Sequence, residues 1–230
     1  MPRNRAARRR KKKRDFFQFL ITAWALLTVV TAVCWCFRQE SAGEVQEGYP
    51  SWLPGAGVEV PEYVRQDFLP VNAYSRPGTY LRKIDGVVIH YVGNPGSSAR
   101  GNRSYFASLA DGKEQTYASS HFIVGLEGEV IQCVPLEEIA YASNDRNSDT
   151  VSIEVCHPDS GGAFNPATYD RVVELAVWLC RTFGIDPQEG VIRHYDVSGK
   201  ICPKYYVEHP EAWEDLKAAI AAGTGEQTEP

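Results

Sequence analysis

No acidic residue occurs among the first 14 positions, and no charge of either sign among the 22 from 16 to 37. The second absence excludes a solvated surface helix over those residues, and the first leaves nine Lys or Arg between Arg3 and Arg14 unopposed. From position 38 onward the shortage is of positive charge, with 15 basic against 28 acidic residues. That balance argues against nucleic acid as a partner. No internal repeat is evident. The chain also has no paired CxxC, the spacing that closes many structural zinc sites.

What fills the uncharged stretch is FFQFLITAWALLTVVTAVCWCF. As a helix rising about 1.5 Å per residue it reaches roughly 33 Å, enough for a hydrocarbon core of about 30 Å. A cleaved signal peptide has an apolar region of only about 7–15 residues, and Ser41-Ala42-Gly43 is a weak cleavage site, so the length favours an anchor. Val33 stands before Cys34 where a lipoprotein needs a small residue. The basic flank keeps the N-terminus inside, and the rest of the chain faces out of the cytoplasm. The expected organisation is a basic cytoplasmic tail (1–15), a single transmembrane helix (16–37), a linker rich in Gly, Pro and Glu (38–70), one domain (71–222) and a disordered tail (223–230).

Within the domain, IDGVVIHY (84–91), SHFIVGL (120–126), GEVIQCV (128–134), TVSIEVC (150–156) and GVIRHY (190–195) carry strand signals. The second and third of these predict a hairpin turning at 126–128. ATYDRVVELAVWLCRTFG places Val172, Leu175, Ala176, Leu179 and Phe183 at helical spacing and stops at Gly184. A last helix opens near Pro210. Strands interleaved with helices predict an α/β domain with a mixed central sheet flanked by helices. Cys133, Cys156 and Cys180 read as buried small hydrophobes, with a Cys133–Cys156 bridge as the alternative.

The stretch RHYDVSGKICP joins a histidine, His194, at the end of one apolar strand to Cys202 eight residues on, while His90 ends another such strand. Two imidazoles and a thiolate supply three ligands and leave a tetrahedral zinc one open position, the mark of a catalytic site. Each of the three taken singly is an ordinary structural residue. Glu154 interrupts an apolar strand, which fits either a working carboxylate or an edge-facing one on an alternating strand. Asp196 either orients a ligand imidazole or caps the turn 196–199. His121 is a substrate contact or a satisfied strand histidine. His157 and His209 precede prolines and read as structural. Asn94, Arg146 and Asn147 are candidate cleft residues.

From Asn72 to Trp213 the chain carries, in order, VVIHYVGNPG, SSHFIVGLEGEVIQCVPL, AYAS with RNSDTVSIEVC, and VIRHYDVSGKICP. In these it resembles the zinc-dependent N-acetylmuramoyl-L-alanine amidases, the family that includes phage lysozyme-type amidases and peptidoglycan recognition proteins, in particular the Gram-positive cell-wall hydrolase branch. The resemblance implies Zn2+ on His90, His194 and Cys202, catalytic roles for Glu154 and Lys200, and peptidoglycan as substrate. Some members have a tyrosine where this chain has Ser120, which shifts the burden to Glu154. The alternative is a membrane-tethered peptidoglycan sensor that binds without cutting. Such relatives tend to lose a zinc ligand, whereas the three are complete here.

Overall fold

The computed structural model describes residues 49–225. The expected basic tail and transmembrane helix lie outside the described residues, among which no helix is long and apolar enough to cross a membrane.

Six strands form one sheet: β1 (Val64–Gln66), β2 (Gly86–Tyr91), β3 (Phe122–Val124), β4 (Val130–Gln132), β5 (Thr150–Val155) and β6 (Val191–Arg193). Their order across the sheet is β1-β4-β3-β5-β2-β6, and every pair is parallel except the β3–β4 hairpin. That hairpin pairs Ile123 with Ile131, and Gly125 donates its N–H to the Glu129 carbonyl across the turn, where Gly128 takes a positive φ of 77°. The mixed sheet and the hairpin are as the sequence predicts.

Strand alternation gives the sheet two unlike faces. Val87, Ile89, Val151, Ile153 and Val155 belong to the main core, where α2 (Pro166–Phe183) and α6 (Pro210–Gly225) supply Val172, Leu175, Leu179, Leu216 and Ile220. Helix α2 starts because Asn165 accepts the Thr168 N–H at 3.0 Å and Pro166 has no N–H that needs an acceptor, and it stops at Gly184 with φ 66°. On the opposite face lies a smaller cluster built on Ile123, Ile131, Cys133 and Cys156, covered by α1 (Ala99–Ser108) through Ala99 and Phe106. The short helices α3 (Pro187–Gly190), α4 (His194–Ser198) and α5 (Lys204–Glu208) connect the later elements.

Residues 49–70, expected to be linker, belong to the packed structure. Val64 and Leu69 are buried in the two clusters, Leu53 is buried as well, and β1 completes the sheet edge beside β4. Arg76 explains part of this order. Its guanidinium, itself buried, forms a two-pronged pair with the buried Glu138 carboxylate (Nε to Oε2 and Nη2 to Oε1, both 2.7 Å) and donates to the Leu69 carbonyl, also at 2.7 Å. The Tyr49 hydroxyl donates to the same carboxylate. At the other end α6 runs on to Gly225, past the expected start of the tail at 223.

Candidate metal centre

His90 is the penultimate residue of β2. His194 is the first residue of α4, one step beyond β6, rather than part of the strand as its apolar run suggested. Because β2 and β6 pair with Ile89 opposite Arg193, the next residue on each chain segment falls beside the other. The two rings lie 4.6 Å apart between centroids. Helix α4 ends at Gly199, whose φ of 75° lets the chain double back, and the Tyr195 N–H then holds the Cys202 carbonyl at 2.9 Å. This returns the thiol to the imidazoles, with Cys202 Sγ 3.9 Å from His90 Nδ1. One ligand atom from each of His90, His194 and Cys202 lies within 4.8 Å of the others, and all three residues are buried.

Electrostatics and hydrogen bonding fit this trio to a zinc ion. Nδ1 of His194 is closed to solvent and has no hydrogen-bond partner, a cost that a ligand on that lone pair removes. Burial holds His90 well below the usual imidazole range, with His194 and Lys200 adding to the effect, and burial followed by Lys200 lowers His194. Both are therefore neutral, the form that binds metal. Burial pushes the Cys202 thiol up to about 12, so a cation must be present to make it a thiolate. Two nitrogens and one sulfur are zinc donors, and three protein ligands leave a position free for chemistry.

Glu154 is the register partner of His90 on the adjacent strand β5. In a parallel pair, side chains at partner positions share a face. The residue is half-buried overall, yet its Oε2 is inaccessible to solvent and has no partner. Burial raises its carboxyl to about 8, opposed by the charge of Lys200. Lys200 itself is exposed on the loop between Gly199 and Cys202, and its field reaches His90, His194, Glu154 and Cys202.

The remaining candidates divide more plainly. His121 is a structural histidine: its Nδ1 accepts the Ser152 N–H at 3.0 Å and its Nε2 donates to the Glu138 carbonyl at 2.9 Å, in full burial. Asp196 does not touch a ligand imidazole. Its carboxylate takes the Arg193 backbone N–H and guanidinium, capping α4. Arg146 pairs with Asp149, and Asn147 Oδ1 accepts the backbone N–H groups of Ala142 and Ser143, so both brace the loop before β5 instead of lining a cleft through free side chains. Asn94 is exposed in the loop after β2, where its carbonyl accepts from Ser97. His157 is tied through both ring nitrogens to the carbonyls of Asp159 and Val92, and His209 is exposed beside Glu211. Cys133 and Cys156 are free and buried, with no bridge between them.

Two residues beside the trio were not singled out from the sequence. Ser143 Oγ lies 3.1 Å from His90 Nε2, and Asn144 Oδ1 lies 2.9 Å from His194 Nε2. Both stand in a polar loop without periodicity. The only available signal was the AYAS motif, which ends at Ser143.

Comparison with known proteins agrees with this geometry. The N-acetylmuramoyl-L-alanine amidase family (Amidase_2) matches residues 80–205, a stretch that contains all three trio residues, Glu154 and Lys200. The chain is 33% identical over 175 residues to N-acetylmuramoyl-L-alanine amidase BlyA of Bacillus subtilis (strain 168), covering 67% of this chain and 46% of that protein. It is 29% identical over 177 residues to the amidase CwlL of Bacillus licheniformis, covering 72% and 48%. The chain thus spans about half the length of the curated relatives it matches. The solved catalytic domain of XlyA superposes with a TM-score of 0.57 at 28% identity, over 68% of this chain and 98% of that domain. A family match over residues 80–205, the mixed six-stranded sheet and a His-His-Cys trio consistent with that family's zinc site lead to one conclusion: the chain belongs to the N-acetylmuramoyl-L-alanine amidase family.

Proposed function

We propose that this protein is a zinc amidase that hydrolyses the bond between the lactyl group of N-acetylmuramic acid and L-alanine in peptidoglycan, working outside the cytoplasm from an anchor at residues 16–37. The observation that carries the chemistry is the convergence of His90, His194 and Cys202 within 4.8 Å, beside a strand whose Glu154 presents an unpartnered oxygen.

An amide has a weakly electrophilic carbonyl and a poor leaving group. Hydrolysis therefore needs a nucleophile, charge stabilisation at the carbonyl oxygen and a proton for the departing amine. Zinc on the trio supplies Lewis acidity, polarising the carbonyl and acidifying water. The protein's own groups do the rest. Glu154, whose Oε2 has no other partner, accepts as a carboxylate the proton of the attacking water and returns it to the amine nitrogen, and its burial favours holding that proton between the two steps. Lys200 places a flexible positive charge at the mouth of the site, where the carbonyl oxygen becomes anionic.

The anchor rests on the uncharged 22-residue run and its basic flank. Incubating the full-length protein with purified peptidoglycan tests the activity. New L-alanine amino groups without new sugar reducing ends are the expected products, and binding with no amine release would make the protein a sensor instead.

A further inference from the structure

The proposed zinc site leaves open how two buried neutral histidines come to offer the same nitrogen. Each imidazole has two tautomers, and only the one with its proton on Nε2 leaves Nδ1 free as a ligand. The geometry points to the dipeptide Ser143-Asn144 as the device that sets this tautomer for both rings at once. This rests on the zinc reading above and goes beyond it, since neither residue touches the metal-facing atoms.

The ring orientations come first. His90 turns Nδ1 to Cys202 Sγ at 3.9 Å, and His194 Nδ1 is the atom left buried without a partner. Those are the edges that a shared ion would meet. The opposite edges meet adjacent residues of one loop, with Ser143 Oγ at 3.1 Å from Nε2 of His90 and Asn144 Oδ1 at 2.9 Å from Nε2 of His194. An amide oxygen only accepts, so with Oδ1 on this side His194 carries its proton on Nε2, and Ser143 Oγ, which can accept as well as donate, is placed to take the corresponding proton of His90. Hydrogen bonds at the far nitrogen fix the ring plane and raise its basicity toward the metal.

The loop is built to hold these two groups in place. Asn147 Oδ1 gathers the N–H groups of Ala142 and Ser143. Ser143 is buried, and Asn144 sits at φ 52°, in the left-handed region where a non-glycine residue is uncommon and Asn among the best tolerated. Consecutive residues of an ordinary extended segment point their side chains to opposite sides. The left-handed turn at Asn144 is what lets neighbours in sequence serve neighbouring rings. Backbone strain of this kind, kept beside a site, has a role in that site. Ser143 and Asn144 are thus positioning residues.

The test uses the full-length protein, apo and zinc-loaded. Asn144→Gly deletes the side chain without opposing the positive φ, Asn144→Asp keeps an acceptor that the same backbone tolerates, and Ser143→Ala removes the other hydroxyl. Competition with a calibrated chelator should show zinc affinity down about 10–100-fold in Asn144→Gly and in Ser143→Ala, and restored in Asn144→Asp. Nitrogen-15 spectra of the apo protein should show both rings as the Nε2–H tautomer, with His194 losing that preference in Asn144→Gly. Nδ1–H rings in the wild type, or zinc affinity unchanged in both deletions, would overturn the assignment. A different result bears on the reading beneath it: if Cys202→Ala binds zinc as tightly as the wild type, the trio is not the metal site, while the tautomer spectra still decide the role of the dipeptide.

Discussion

His90 and Glu154 occupy partner positions on the parallel strands β2 and β5, so the ligand imidazole and the carboxylate emerge from the same face of the sheet on adjacent strands. The alternation that sends Val87, Ile89, Ile153 and Val155 into the main core sends these two the other way. That face is covered by α1 only over the β3 and β4 side, and its polar residues stand where α/β folds commonly place their chemistry, toward the strand C-termini. Burial at this place raises the carboxyl to about 8 against the opposing charge of Lys200, and no hydrogen-bond donor reaches Oε2.

Lys200 lies exposed on the loop before Cys202, so its removal should leave folding and zinc content unchanged. Lys200→Ala is expected to lower turnover on peptidoglycan by roughly 10²–10³-fold, the size of a lost oxyanion contact. Steady-state amine release at saturating substrate checks this, and undiminished turnover would remove the lysine from the chemistry.

The Arg76–Glu138 pair ties residues 49–76 to the loop after β4. Arg76→Met strands a carboxylate that is 1% exposed. Leaving one member of a buried ion pair alone costs about 3–5 kcal/mol, so urea unfolding should shift by that much. A change below about 1 kcal/mol would show the pair to be dispensable.

His121 should make stability pH-dependent. Burial, which penalises the charged imidazolium, lowers its pKa from 6.5 to about 4 against the opposing pull of the Glu138 carbonyl and carboxylate. Between these values the unfolded chain binds a proton that the folded chain refuses. The contribution is therefore complete above about pH 6.5 and is lost as pH falls toward 4, amounting to about 3 kcal/mol. Urea titrations at several pH values, compared with His121→Gln, should show a steeper fall for the wild type over this window. Parallel curves would contradict the assignment.

The sequence discloses those parts of the fold whose signals are local and periodic. Strands β2 and β5 alternate or run apolar over six residues, α2 repeats its apolar positions every three to four, and the hairpin is bracketed by glycines. Strand β1 is only Val-Arg-Gln and exists because β4 offers it an edge, so nothing within the Gly- and Pro-rich segment announces it. Helix α1 reads ARGNRSYFAS, with a glycine in its first turn and few apolar anchors, and is held by the Ser98 cap and by Phe106. At the site, ligand chemistry identifies His90, His194 and Cys202 by type. Their supporting residues escape notice because Ser143 and Asn144 meet the rings from about 50 positions away in the chain. Asp196 shows the reverse: a carboxylate two residues from a ligand spends itself on Arg193.

The most direct test of the account measures zinc content and release of L-alanine amino groups on the same folded Glu154→Gln protein. The substitution keeps the side-chain shape and removes the proton acceptor, and general acid–base participation is typically worth about 10²–10⁴-fold. The account predicts full zinc occupancy with turnover down at least a hundredfold or so. A zinc-loaded Glu154→Gln protein that frees amino groups at close to the wild-type rate would contradict it.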